Sequence, residues 1–201
     1  INDNIIINGG RSEGLKLLSS ASKFSNYKLI RNDMTKHTSM LSAHNKFGTI
    51  SIREVYYSFI KHNQKDMIQQ LFWRDFYYYV CHHFPHVLDH QHINKPNKHK
   101  VDWENNKSFL KKWKEGRTGF PIVDACMTEM NITGYMHNRG RMIVSNFLAK
   151  DLLVDWKYGE QYFSQKLVDI DRCQNCGNWN WSTSFGLDAA PYPRIFNPWT
   201  Q

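Results

Sequence analysis

Long apolar runs, strand-like alternation and a cysteine framework are all missing from this 201-residue chain. No stretch approaches the roughly 18 uncharged apolar residues that a membrane-spanning helix needs, so no membrane-spanning helix is expected. The opening INDNIIINGG is too short and too polar for a secretion signal. No internal repeat or low-complexity tract interrupts the chain. Period-2 alternation is confined to one candidate strand, residues 4–8, so the sequence reads as all-α. The four cysteines are too few and too scattered for a disulfide scaffold. Cys126 falls in an apolar helical pattern and reads as a small buried hydrophobe. Cys173 and Cys176 form a lone C-x-x-C. A zinc site needs two more ligands at metal spacing, and Cys81, His82 and His83 lie mid-helix nearly a hundred residues away. Free thiols in a reducing compartment are therefore preferred to structural zinc.

What is present in quantity is aromatic surface and positive charge. Seven Trp, ten Tyr and twelve Phe accompany a net charge of +8 and a pI near 9.3. That balance suits flat ligands and an anionic partner, with nucleic acid an even prospect on charge alone. Hydrophobic content of 41% and a charged fraction of 22% are those of an ordinary globule, and the length suffices for a well-buried domain. The helical period predicts helices over 12–24, 52–62, 66–84, 139–151 and 158–168. Leu15, Leu18, Ala21 and Phe24 share one face of the first. Val55, Phe59 and Ile60 mark the second, and Met67, Leu71, Phe72, Phe76, Tyr79 and Val80 the third, which Pro85 ends. Pro121 opens a further helix that Gly134 closes. Residues 89–100 read as a polar loop.

Five groups of residues carry chemistry. Thr38, Ser39 and Ser42, with Met40 and Leu41 between them, cluster hydroxyls ahead of a helix expected from Ile52; they read either as caps or as an anion site for a pyrophosphate. Gln70, Trp73, Arg74 and Tyr77 fall on one helix face at i, i+3, i+4 and i+7. They form either a core Trp beside a surface ion pair or a polar, aromatic wall with a stacking ring, a phosphate-binding guanidinium and a base-reading amide. His137-Asn138-Arg139-Gly140-Arg141 is polar and basic, and Arg141 has Asp169 and Asp171 as candidate partners, in an ordinary ion pair or beside a ring whose electronics it tunes. The turn from Asp169 through Ile170 and Asp171 leads to Asn175, Trp179 and Trp181. Trp103 and Trp156 complete the indoles of interest; a single Trp is most often core packing.

These segments resemble, one after another, the FAD-binding domain of the photolyase/cryptochrome family, over roughly residues 9–201. Within the family they are most similar to the class I cyclobutane-pyrimidine-dimer photolyases. The resemblance implies an all-α fold and a single helical FAD- and DNA-binding catalytic domain over residues 1–201, without the family's N-terminal α/β antenna domain and last C-terminal helices. It implies FAD held by Tyr27, Thr38, Ser39, Met40, Leu41, Ser42, Arg141, Asp169, Ile170 and Asp171. Asn175 is implied to face the flavin N5, where plant cryptochromes carry Asp. Trp179, Trp156 and Trp103 match the family's three-tryptophan electron-transfer chain. DNA and its lesion are implied to meet Arg31, Gln70, Trp73, Arg74, Tyr77, Asn138, Arg139, Trp181, Arg194 and Gln201. Most class I enzymes carry Glu at Gln70; an amide still donates one N–H. Gln occurs there in the DASH branch, but Trp181 stands where DASH proteins carry Tyr. The implied function is light-driven repair of pyrimidine dimers by electron transfer from reduced flavin to a flipped-out dimer. The implied partners are dimer-containing DNA and an antenna domain upstream or on a separate chain, with no metal and no membrane, in a monomeric intracellular protein. A cryptochrome-like photoreceptor and an inactive fragment are the alternatives.

Overall fold

Local signals start and stop the helices where their chemistry requires it. Ser51 accepts the Arg53 N–H while Glu54 accepts the Ser51 N–H at 2.9 Å, a capping box that opens a helix at Ile52. Asn106, Asp155 and Asp171 each accept backbone N–H groups at three further helix starts. Gly134 closes its helix in the left-handed conformation at φ 70°, the αL stop that favours glycine. In the computed structural model, which describes residues 3–24, 26–91, 93, 101–184, 186–188, 192 and 194–200, every regular element is helical. In chain order these are α1 (Arg11–Ser19), α2 (Tyr27–Ile30), α3 (Ser42–Phe47), α4 (Ile52–Lys61), α5 (Lys65–His83), α6 (Lys107–Glu115), α7 (Pro121–Thr133), α8 (Asn138–Asn146), α9 (Trp156–Lys166) and α10 (Arg172–Ser182). Short 3₁₀ turns follow α1 and α5, and one π turn, Phe147–Asp151, extends α8.

Two apolar clusters support these helices. The larger gathers Val123, Met127 and Met130 of α7, Ile143 and Val144 of α8, Trp113 of α6, Phe163 of α9 and Trp179 of α10. The indole of Trp113 is fully buried and donates to the Val144 carbonyl at 3.0 Å. The smaller joins Leu18, Phe24, Leu41, Ile50, Val55, Phe59 and Met67. Between the two, α5 lies against α10 with unusual closeness: a Cβ at Gly177 would stand 2.3 Å from the Tyr77 ring, so only glycine admits this approach.

Four expectations are corrected. Residues 4–8 form no strand, because no second segment pairs with them among the described residues. Leu15 is exposed: the helix ends at Ser19, and the face it buries carries Gly14, which sits against His44, and Leu18. Ile60 is exposed where Val55 and Phe59 are buried. On α5, Phe72, Phe76 and Tyr79 are exposed at 59%, 40% and 66%, although they belong to the apolar pattern. The approach at Gly177 rotates Tyr77, Val80 and Cys81 inward instead, so the stripe is wider than the surface that covers it. No described helix is long and apolar enough to cross a membrane. All four cysteines are free, and no group of three or more His, Cys, Asp or Glu able to hold a metal ion occurs among the described residues.

Candidate flavin and nucleic-acid site

A cavity of about 680 Å³ opens between the two apolar clusters. One wall comes from the smaller cluster and the turn before it. Thr38, Ser39, Met40, Leu41 and Ser42 line this wall, with Tyr27 and Arg31 beside them. Met40 holds φ 54°, a left-handed conformation that bulky side chains rarely adopt. Such strain concentrates where a ligand is clamped. The hydroxyl turn does not lead straight to Ile52, as the sequence suggested. It runs into α3, which starts at Ser42 and brings Asn45 and Lys46 to the same wall. Asn45 Oδ1 is buried there without a partner. Hydroxyls and a lysine make a polar, cation-bearing rim suited to phosphate groups.

Arg141 and the two aspartates form the next part. The Arg141 guanidinium donates to Asp169 Oδ2 and to the Met136 carbonyl, both at 2.8 Å, and lies 5.7 Å over the Tyr135 ring. Burial pushes the Asp169 carboxyl up, but the charge and hydrogen bond of Arg141 outweigh it and hold the pKa below the ordinary value. Asp171 accepts the Gln174 N–H at 3.0 Å as the cap of α10, accepts the Tyr78 hydroxyl, and meets Lys46 Nζ at 3.5 Å. Burial raises its pKa too, and the Tyr78 and Gln174 bonds bring it below the usual range. Ile170 lines the cavity between them.

The deep wall belongs to α9 and α10. Asn175 Nδ2 donates to Glu160 Oε1 at 2.7 Å, to the Glu160 carbonyl at 3.1 Å and to Ser164 Oγ at 3.1 Å. All three acceptors lie behind the wall, which fixes the amide orientation and leaves its oxygen for the cavity. Trp179 lines the cavity while its Nε1 is buried without a partner. Its ring packs edge-on to Phe163 at 5.1 Å and Trp113 at 6.3 Å. A Cβ at Gly159 would stand 2.2 Å from this indole. Trp156 opens α9 three residues before Gly159, is fully buried and does not line the cavity; Trp103 is half-buried against the same cluster.

The open side is aromatic and basic. Trp73 is 47% exposed, with Phe76 edge-on at 5.6 Å, and Tyr77 donates to Asn178 Oδ1 at 2.9 Å. Trp181 faces the same space, with the Arg194 guanidinium 5.3 Å over its ring. Arg139 bonds Asn32 and approaches Met142, while Asn138 stands exposed beside it. Burial first, then the nearby charge of Arg31, lowers the Arg139 pKa, so this rim favours an anion. Two side chains are more committed than the sequence implied. Gln70 donates its amide to the Asp66 carbonyl at 3.1 Å, and Arg74 pairs with Asp75 at 2.7 Å and covers Tyr78 at 4.6 Å. Gln201 lies outside the described residues. The structure thus brings every other candidate residue to one cavity except Trp103 and Trp156. Sequence reasoning missed Asn45, Lys46, Tyr78, Tyr135, Glu160 and Ser164. Only Asn45 and Lys46 carried a signal, lying one turn beyond the hydroxyl cluster.

Residues 67–201 match the family described as the FAD binding domain of DNA photolyase. The chain belongs to that family. FAD is the family's cofactor, and the residues present fit it: a polar rim, a carboxylate–guanidinium pair and an unmet indole N–H share one cavity. The chain is 40% identical over 200 residues to a deoxyribodipyrimidine photo-lyase of Alkalihalophilus pseudofirmus, covering 96% of this chain and 41% of that relative. It is also similar to an archaeal photolyase from Sulfolobus tokodaii solved with two FAD molecules (TM-score 0.86, 44% identity, 96% of this chain and 43% of that one). The Synechocystis cryptochrome gives a TM-score of 0.87 at 32% identity, covering 98% of this chain and 43% of the other. The chain therefore spans less than half the length of these relatives.

Proposed function

We propose that residues 1–201 form a catalytic unit that uses FAD and light to repair cyclobutane pyrimidine dimers in DNA. The observation that carries this reading is a single cavity with two chemically different parts. Its inner part holds the Arg141–Asp169 pair, Asn175 and Trp179; its outer part holds Trp73, Trp181 and a basic rim. A bound FAD would supply the light-absorbing, one-electron chemistry. Thr38, Ser39 and Ser42 hold its phosphates, with Tyr27, Met40 and Leu41 shaping the wall around it. Arg141, Asp169, Ile170 and Asp171 fix the ring and sugar portion, and Asn175 presents its amide oxygen to the ring. Trp73 and Trp181 stack an extruded dimer, Tyr77, Asn138 and Gln70 border it, and Arg31, Arg74, Arg139 and Arg194 favour the backbone phosphates without reading sequence. Gln201 belongs with this DNA-facing set on the family resemblance alone. Trp179, Trp156 and Trp103 relay electrons inward from solvent to restore the reduced cofactor. The unit is monomeric and works inside the cell.

The test is purified protein loaded with FAD and illuminated with dimer-containing DNA. About one non-covalent FAD per chain and loss of dimers under blue light are expected when the cofactor is first reduced chemically. Trp179→Phe should block light-driven reduction of oxidised FAD and leave repair by the chemically reduced protein intact. Folded protein that takes up no flavin overturns the assignment. The similarity to the Synechocystis cryptochrome supports a second reading, a photoreceptor, which predicts flavin binding and photoreduction with no dimer splitting.

A further inference from the structure

Among the described residues, His90 is the one imidazole seen to touch both Trp156 and the Glu160 carboxylate that holds Asn175. It follows the 3₁₀ turn Pro85–Asp89 with φ 59°, a left-handed position in which His is less costly than most residues. Its ring stands edge-on to Trp156, with centroids 5.2 Å apart and planes at 90°. Its Nε2 lies 3.2 Å from Glu160 Oε2, and the other Glu160 oxygen takes the Asn175 amide at 2.7 Å. The Glu160 carboxylate is buried, whereas the imidazole side chain is 31% exposed. Solvent protons therefore reach His90 and, through it, a carboxylate that they do not reach directly.

We propose that His90 is a positioning residue of the indole chain whose protonation decides how readily Trp156 accepts the positive charge left on Trp179. This rests on the proposed function, in which one electron passes from Trp179 to the bound oxidised FAD, which is thereby reduced by one electron. Trp156 then gives one electron to Trp179, Trp103 gives one to Trp156, and an added thiol gives one to Trp103; no bond between heavy atoms breaks in the chain. With His90 protonated, the imidazolium and Glu160 cancel, and a positive group touches the indole that must become positive. With His90 neutral, the Glu160 charge stands uncancelled and favours the hole on Trp156. The sign is therefore fixed: the yield rises as pH rises through the His90 titration. The other ionisable groups on the elements packed around it are engaged elsewhere: His82 and His83, exposed at the end of α5, pack on each other and on Tyr79, and Cys81 bonds Cys173 and is pushed up to about 12 by burial. Asp89 and Arg172 form an exposed pair at 3.9 Å. His86 is held on the Ile93 carbonyl at 3.2 Å, and the Cys176 thiol bonds the Val87 carbonyl at 3.0 Å and stays neutral, pushed up to about 12 by burial and then by Glu160.

The experiment uses the flavin-loaded chain and a thiol donor. Photoreduction yield is measured against pH while the His90 ring is followed by NMR, its signal identified by its loss in His90→Gln. In the wild type the yield should rise about 3- to 10-fold across a step whose midpoint coincides with the NMR midpoint. His90→Gln keeps a donor toward Glu160 but should lose the step; the thiol's own titration is common to all variants. Glu160→Gln removes the negative partner, and the yield step and the NMR midpoint should still coincide in it. A step that survives in His90→Gln, or an NMR midpoint that stays apart from it, overturns the proposal. Trp156→Phe separates the two failures. If it blocks photoreduction at every pH, the chain stands and His90 is judged by its own variant. If it photoreduces normally, the chain itself is wrong and the role of His90 falls with it.

Discussion

The deep wall and the open rim of the cavity are built on different principles. Trp179, Phe163 and Met136 are held by the larger apolar cluster, and Asn175 by three hydrogen bonds from behind. Nothing in that wall can turn without breaking packing or leaving a buried polar group unmet. The rim has the smaller cluster beneath it. Its shape comes from a strained Met40, a short α3 and side chains such as Arg31, Trp73 and Asn138 that stand in solvent. A rigid recess suits a cofactor bound in one pose. An exposed, basic and aromatic rim suits a partner whose sequence varies.

The sharpest way to break this contrast is at Asp169, where the two regions join. Its carboxylate is the buried partner of Arg141. Asp169→Ala should cost about 3–5 kcal/mol, because it leaves a largely buried guanidinium without its counter-charge. Asp169 and Asp171 also predict the acid limit. Both have folded pKa values below the ordinary carboxylate range. Their contribution is fully present above about pH 4 and is lost as pH falls through the folded values. Denaturant unfolding of wild type and variant between neutral pH and about pH 2 checks both points. A loss under about 1 kcal/mol, with an unchanged acid slope, would make Asp169 a rim residue.

How much of this was legible in advance follows the same division. The hydroxyl turn, the face Gln70–Trp73–Arg74–Tyr77 and the Arg141–aspartate pair were readable because each is local or carries a distinctive residue set. Glu160, Ser164 and His90 were not. They act only through contacts made after folding, such as the one between His90 and Glu160 across 70 residues, and a lone Glu on a helical pattern or a lone His in a polar loop signals nothing. The apolar stripe of α5 misled for a related reason. Periodicity shows which residues share a face, but Gly177 on another helix decides which edge of that face is buried. The hydroxyl turn misled more mildly, since six residues ending at Gly48 are too short a helix for periodicity to reveal.

A second test works on the rim alone. Trp73→Ala and Trp181→Ala should each weaken binding of dimer-containing DNA by about 1–3 kcal/mol, the scale of one base–aromatic stack. Binding to undamaged duplex should change little, because Arg31, Arg139 and Arg194 remain and phosphates supply most of that affinity. The check is a paired titration of damaged and undamaged DNA at one salt concentration, with helicity recorded for each variant. Equal losses on both DNAs would mean that these indoles hold the wall and not the dimer.

The smallest expected effect is at Met40, and its smallness is informative. A bulky residue at φ 54° carries strain of about 1–3 kcal/mol. Met40→Gly removes that strain and keeps the left-handed turn that aims Ser39 and Leu41. It also gives up the packing of Met40 against Ile7, Ala43 and Tyr135 and adds freedom to the unfolded chain, which offsets the gain. The net change in stability should stay within about 1 kcal/mol of zero. Flavin affinity should hold, since the turn is what the site needs and the thioether is not. Met40→Val is the counterpart, because a β-branched residue cannot sit comfortably at this φ and should destabilise the turn. Equilibrium unfolding and flavin titration of the two variants decide the point. If Met40→Gly loses flavin while remaining folded, the side chain itself is a cofactor contact and the rim is less adaptable than the contrast with the deep wall requires.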